Sequence, residues 1–224
     1  MSIADSSVLA LTIGFPNAAA AALPLLLDTS GSHAAAPAAL LIVIGSVTVT
    51  PITLALLDAQ RDSPKEAIPL AAVLRSMPRA FGRPVVWGPL AALLCEALHI
   101  RFPSYVQGTF LTLGNAATGS ALIPTGLVVS AQRFRLERSV LLASVAKLLL
   151  QPLLALGVTM LLRLNHEQIR NVVVISASPG GFFGLVFGKS FHATPEVASS
   201  SLIGSYGLGW ITLSMWLLVA ARFL

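Results

Sequence analysis

Residues 11–27 read LTIGFPNAAAAALPLLL, and residues 175–191 read ISASPGGFFGLVFGKSF. Both stretches are apolar, yet each has a proline near its middle, Pro16 in the first and Pro179 in the second, followed by small residues. A proline inside a helix removes one backbone hydrogen bond and kinks or breaks the helix. The two stretches therefore predict two interrupted helices, and a simple kink is the alternative interpretation of each.

The composition around these stretches is that of a membrane protein. The chain has 224 residues, of which 55% are hydrophobic and 10% are charged. A soluble domain carries about 25% charged residues, so this chain has too few to cover a surface that faces water. The excess of five positive charges lies in short loops, which argues against nucleic acid as a partner. A typical soluble enzyme and a disordered protein are excluded as well.

Seven apolar segments are long enough to cross a bilayer, whose core of ~30 Å needs about 20 helical residues. They cover residues 6–27, 36–57, 84–100, 105–130, 139–162, 170–189 and 197–222. Only helices and closed barrels satisfy their backbone groups in lipid. Because the segments are rich in Leu and Ala and do not alternate, they predict an all-α polytopic membrane protein with about seven transmembrane helices.

The loop cations predict the orientation, since cytoplasmic loops carry an excess of Lys and Arg. One set of loops holds Arg61, Lys65, Arg75, Arg79, Arg83, Arg133, Arg135, Arg138 and Lys189. The opposite set holds Arg101, Arg163, Arg170 and Arg222. We therefore expect a multi-pass protein of the cytoplasmic membrane with loop 58–83 inside and the C-terminus outside. Within that loop, residues 67–77 are predicted either as an amphipathic helix on the membrane surface or as part of a solvated connector.

The two interrupted segments also predict an internal repeat. Five helices separate their equivalent points, and an odd number gives the two copies opposite orientations, as in inverted-repeat transporters. This divides the chain into residues 1–57 (the last two helices of a first repeat), 58–83 (a cytoplasmic linker) and 84–224 (a second repeat of five helices). Three helices of the first repeat are then expected before Met1, so the chain is interpreted as N-terminally truncated.

The two breaks are the first candidates for a binding site. Broken helices bring half-helix N-termini to the membrane centre, where their free N–H groups and partial positive charge suit a carboxylate. The candidate residues at the breaks are Pro16, Asn17, Pro179, Gly180 and Gly181, and Ser176 and Ser178 flank the second break.

Lys147 is the strongest single candidate. It lies about nine residues from the cytoplasmic end of its segment, roughly 13 Å deep at 1.5 Å per residue. A lysine at that depth costs at least ~2.5 kcal/mol on insertion, and no acidic residue lies one helical turn away to pair with it. It either meets an anionic substrate or caps backbone carbonyls freed by a broken helix, and the two roles are compatible. Gln151 lies one turn on, on the same face, and is predicted to bind either the same substrate or a neighbouring helix.

No enzyme chemistry is predicted. A hydrolase or transferase needs a nucleophile with a base, or paired carboxylates, and the sequence offers no such constellation. The four histidines and the single cysteine have no metal-ligand spacing, and no phosphate-binding loop is present. We therefore expect no catalytic residues, no metal and no cofactor.

The chain resembles the auxin efflux carrier family, and within it the bacterial malonate transporters. The resemblance is carried by VLALTIGFPNAAAAALPLL (8–26), RPVVWGPL (83–90), LIPTGLVVSAQRFRL (122–136), AKLLLQPLLALG (146–157) and PGGFFGLVFGKSF (179–191). It implies a secondary transporter of ten helices in two inverted repeats, working by alternating access. The broken helices would cross at Pro16 and Asn17 and at residues 178–181. The scaffold of such carriers often dimerises, so a homodimer is an expected partner state alongside membrane lipid.

The function implied is transport of a small organic anion, with malonate or a related dicarboxylate as the first candidate. Two alternatives remain open at this stage. In the first, the chain is a non-transporting membrane protein or a subunit of a larger assembly. In the second, it has the same fold with an auxin-like or other carboxylate as its cargo. The coupling ion and the direction of transport are not predicted.

Overall fold

The computed structural model describes residues 2–31, 35–62, 69–120, 123, 126–127, 130, 134–193 and 195–223. These described residues form helices, as the sequence predicts. In chain order the helices are α1 (Ile3–Gly14), α2 (Leu23–Ser30), α3 (Ala35–Asp62), α4 (Leu70–Phe81), α5 (Pro84–Ala97), α6 (Ser104–Ser120), α7 (Arg138–Val145), α8 (Gln151–Leu161), α9 (His166–Ala177), α10 (Phe183–Ser190) and α11 (Glu196–Phe223).

Within the described part of the chain, three helical stretches are long and apolar enough to cross a membrane, namely Ala39–Arg61, Arg138–Leu161 and Glu196–Ala221. They correspond to the predicted segments 36–57, 139–162 and 197–222. The predicted segments 6–27 and 170–189 are not continuous helices, because α1 ends before α2 begins and α9 ends before α10 begins. Segment 84–100 contains α5. Segment 105–130 contains most of α6, and much of its second half lies outside the described residues.

Two π-helical turns, Ala18–Ala22 and Ala146–Leu150, lead into α2 and α8. Each turn precedes a proline, Pro24 or Pro152, that has no N–H to give to the carbonyl four residues earlier. For Pro152 that acceptor is the Leu148 carbonyl, and the indole N–H of Trp216 donates to it across 3.0 Å. The prolines thus explain the local change of helix type, and α11 supplies the missing donor at the second turn.

Helices α1 and α10 pack closely because α10 has glycines on the facing side. A Cβ added at Gly184 would lie 2.6 Å from the Val8 carbonyl oxygen, and one at Gly188 would lie 2.8 Å from the Val8 side chain. Small residues allow helix backbones to approach in this way in membrane proteins. Leu185 and Leu202 are buried with Val8 in the same apolar cluster, which fixes α10 and α11 against α1.

Several loops and helix ends meet at one end of the structure. The Arg83 guanidinium lies 3.4 Å from an Asp58 carboxylate oxygen and 5.1 Å from the ring centroid of Phe191. The Ala4 N–H donates to the Gln60 side-chain oxygen. Four elements therefore lie together: the start of α1, the end of α3, the start of α5 and the end of α10. The charge pattern assigns the cytoplasmic loops to this side of the molecule.

Helix α4 lies within the predicted linker 58–83. Its Ala80 is fully buried and shares an apolar cluster with Leu54 and Ala55 of α3 and Val86 of α5. The residues predicted as an amphipathic helix, 67–77, fall largely within α4, while residues 67 and 68 lie outside the described part of the chain. The linker therefore contains a helix that packs on the membrane-crossing helices.

Candidate functional site

The two helix breaks meet in a short antiparallel backbone bridge. The Asn17 N–H donates to the Pro179 carbonyl across 2.9 Å, and the Gly181 N–H donates to the Phe15 carbonyl across 2.8 Å. The segments that join α1 to α2 and α9 to α10 therefore cross each other in direct contact.

At the first break, a residue of the second break supplies the hydrogen bond that Pro16 cannot donate. Pro16 has no N–H for the Thr12 carbonyl four residues earlier, and the Gly181 N–H donates to that carbonyl instead, across 3.1 Å. The approach requires glycine. A Cβ at Gly180 would lie 2.7 Å from the Thr12 carbonyl oxygen, and one at Gly181 would lie 2.6 Å from that of Phe15.

At the second break, the serine hydroxyls donate hydrogen bonds to carbonyls of their own helix. Pro179 leaves the Ile175 carbonyl without its usual donor, and the Ser178 hydroxyl donates to it across 2.7 Å. The Ser176 hydroxyl donates to the Val173 carbonyl across 2.8 Å. Both serines are buried, and their hydroxyl hydrogens are engaged within α9, so their contribution to a ligand site in this conformation is limited to lone pairs.

Lys147 and Gln151 connect the C-terminal ends of both half-helices. Lys147 is 1% exposed. Its ammonium donates to the Gln151 side-chain oxygen across 2.6 Å and to the Ser176 carbonyl across 3.1 Å. The Gln151 amide in turn donates to the Gly14 carbonyl across 2.7 Å. The bond to Ser176 is the contact expected of a lysine that caps carbonyls freed by a broken helix, and it brings positive charge to the negative end of the α9 dipole, while the neutral amide of Gln151 bonds to the end of α1.

A cavity of about 260 Å³ opens beside the crossing. Gln151 contributes its largest polar side chain, whereas Lys147 does not line it. The lining is otherwise mostly apolar and comes from the breaks, α3 and α9: Gly14, Phe15, Pro16, Ala18, Leu41, Ile42, Ile44, Gly45, Thr48, Val49, Val172, Ile175 and Ser176.

Two neighbouring residues of α11 hold the two breaks, and the sequence did not single them out as site residues. The Asn17 amide donates to the Tyr206 hydroxyl, while its oxygen accepts from the Ala20 N–H at the start of the π-helical turn. The Ser205 hydroxyl accepts from the Gly180 N–H across 3.1 Å. The one local signal that could have found this pair is a tyrosine beside a serine in an apolar helix.

The structure thus brings all nine predicted site residues to the crossing or to the network of Lys147. Their role in binding a substrate stays a prediction. The amide hydrogens of Asn17, Gly180 and Gly181, predicted to face an anion, are bonded to protein oxygens in this conformation. In this state the backbone donors of the site are therefore bonded to other protein groups, and the Lys147 ammonium is buried beside them.

The structure is that of a polytopic membrane protein with a polar centre inside its span. Two interrupted helices are in contact at their breaks, and a buried lysine lies beside them. The chain belongs to the membrane transport protein family, whose sequence model matches residues 2–217. This confirms the resemblance to the auxin efflux carrier family.

Curated relatives agree with this assignment. The chain is 28% identical over 222 residues to the uncharacterized transporter YfdV of Escherichia coli K12, covering 97% of this chain and 69% of the relative. The proteins of the same name from Escherichia coli O157:H7 and Shigella flexneri match to the same extent.

Proposed function

We propose that this protein is a secondary transporter that moves a small organic anion across the cytoplasmic membrane by alternating access, with the helix crossing as its binding site. Family membership supports transport, and the two crossed breaks are an arrangement that secondary transporters use for binding at mid-membrane.

The observation that carries the proposal is the buried ammonium of Lys147. Among the described residues its hydrogen-bond partners are neutral oxygens, and no carboxylate forms an ion pair with it. A buried charge is costly unless it is paired. An anionic substrate would supply the missing counter-charge, and one of the three N–H groups of Lys147 is not used by the two bonds described.

The path to that ammonium runs through Gln151. The Gln151 side chain lines the cavity and accepts a hydrogen bond from Lys147, whereas Lys147 does not line the cavity, so a carboxylate there meets Gln151 first. For the carboxylate to reach Lys147, the Gln151 side chain rotates and releases the Gly14 carbonyl. Substrate binding would in this way loosen the end of α1 and couple occupancy to movement of the crossing.

Malonate is the first candidate cargo by family resemblance, but the lining of the cavity supports a second. A dicarboxylate presents two charges, whereas Lys147 is the only buried cation among the described residues. Leu41, Ile42 and Ile175 give the cavity apolar walls suited to the body of a monocarboxylate. An auxin-like aromatic acid is therefore the alternative cargo.

Uptake into liposomes that contain this 224-residue chain tests the proposal. We expect saturable uptake of labelled malonate that unlabelled dicarboxylates compete away, with protein-free liposomes as the control. Uptake of a labelled aromatic monocarboxylate but not of malonate would support the transport function and change the proposed cargo. Absence of uptake for every acid tested would contradict the transport function and favour a non-transporting protein or a subunit of a larger assembly.

A further inference from the structure

Helix α4 exposes two different stripes on the side that faces away from α3. Leu70, Leu74 and Phe81 lie along one flank, with 72%, 58% and 40% of their surface exposed. Arg75 and Arg79 lie on another flank and are also exposed. At 100° per residue the centres of the apolar stripe and the cationic stripe are about 140° apart around the helix axis, with the exposed Ala71 and Pro78 between them. Exposing three large apolar side chains together to water is unfavourable, so this stripe indicates that the helix is not surrounded by water on every side.

The packing of α4 fixes the depth of these stripes. Its buried face contacts Leu54 and Ala55, which lie six or seven residues before Arg61, where the membrane-crossing stretch of α3 ends. At 1.5 Å per residue that is about 10 Å inside the end of the stretch. Amphipathic helices lie with their apolar side about 5–10 Å into the boundary between headgroups and acyl chains. The exposed side of α4 therefore lies at the depth of the lipid interface.

The charge at this end of the molecule selects the kind of lipid. Besides the two arginines of α4, the same end carries Arg61, Arg138 and Lys189, together with Arg83 and Arg135, which pair with the carboxylates of Asp58 and Glu196. Basic residues beside a membrane surface attract anionic lipids.

We propose that the outer side of α4 is a binding surface for anionic phospholipids, which we call the lipid face: Leu70, Leu74, Arg75, Arg79 and Phe81. The two leucines and the phenylalanine lie among the acyl chains, and the arginines contact headgroup phosphates. Charge complementarity and depth favour this occupant over a protein partner. The proposal does not depend on which substrate the protein carries, or on whether it transports at all.

The first experiment measures the depth of α4 in the full chain. Cys95→Ser removes the single native cysteine, and Leu74→Cys then carries a bimane fluorophore after reconstitution into phosphatidylcholine–phosphatidylglycerol vesicles. We expect quenching by lipids that are spin-labelled high on the acyl chain, and little quenching by aqueous iodide. Quenching by iodide alone would show that the helix is solvated, and protection from both quenchers would show that protein covers it. Either result would overturn the proposal.

The second experiment tests the choice of lipid by comparing quenching by spin-labelled phosphatidylglycerol with quenching by spin-labelled phosphatidylcholine. We expect a preference for phosphatidylglycerol that falls about fivefold for each charge removed, in Arg75→Gln and in Arg79→Gln. Arg101→Gln, which removes an equal charge from the opposite set of loops, is the matched control and should leave the ratio unchanged. An equal ratio for the two lipids in the parent protein, or a ratio unaffected by the α4 substitutions, would contradict the proposal.

Discussion

Replacing Lys147 by methionine removes the ammonium while keeping a long apolar stem, and we expect it to abolish high-affinity uptake. The proposed contact with substrate is a hydrogen bond to a charged group, and such a bond contributes about 1.5–3 kcal/mol. Its loss raises KM about 10- to 150-fold, since each 1.4 kcal/mol corresponds to about a factor of ten. The fold is affected less. The Ser176 carbonyl and the Gln151 oxygen lose a donor, at about 1–3 kcal/mol each, but a buried charge is removed as well.

The assay is the initial rate of uptake into liposomes over a range of substrate concentrations. Lys189→Met is the matched control, because it replaces an exposed lysine at the end of α10, and it should leave KM unchanged. The melting temperature in detergent separates loss of binding from loss of fold. A Lys147→Met protein that melts like its parent and keeps its KM within about twofold would refute the assignment of Lys147 to the substrate.

Three further predictions test the crossing and the orientation. Gly181→Ala puts a Cβ 2.6 Å from the Phe15 carbonyl oxygen; we expect about 1–3 kcal/mol of destabilisation, measured as a lower melting temperature, and an unchanged value would show that the breaks are not in tight contact. Tyr206→Phe leaves the Asn17 amide without its acceptor; we expect a loss of about 1 kcal/mol in stability, and since Asn17 lies at the proposed binding site, uptake should change more in KM than in maximal rate. A fluorescent protein or a periplasmic phosphatase fused at the C-terminus reports its side of the membrane; phosphatase activity without fluorescence is expected, and the reverse pattern would overturn the charge-based orientation.

The sequence predicts the interrupted helices well because the cause is local. A proline has no N–H to donate wherever the chain places it. Because Pro51 and Pro89 lie inside continuous helices, the proline alone does not mark a break, and the small residues that follow Pro16 and Pro179 complete the signal. The link between Lys147 and Gln151 is predictable for the same reason, since residues four apart share one helix face. That the lysine reaches carbonyls at a helix end was one of its two predicted roles.

The partners of these residues could not be predicted, because they come from distant parts of the chain. Nothing near Asn17 indicates that its amide meets Tyr206, and nothing near Gly180 indicates the hydroxyl of Ser205. The same holds for Trp216, whose indole completes the helix around Leu148. Such contacts depend on how helices pack, and apolar periodicity does not encode the pairing of individual polar groups.

The crossing also sets an order of events during synthesis. The hydrogen bond between Asn17 and Tyr206 joins residues 189 positions apart. At typical translation rates of ~5–20 residues per second, the first broken helix waits roughly 10 to 40 s in the membrane before its partner emerges from the ribosome. Until then the carbonyl of Thr12 has no donor from Gly181. The first interrupted helix therefore stays incomplete until the segment that contains Gly181 has joined it in the membrane.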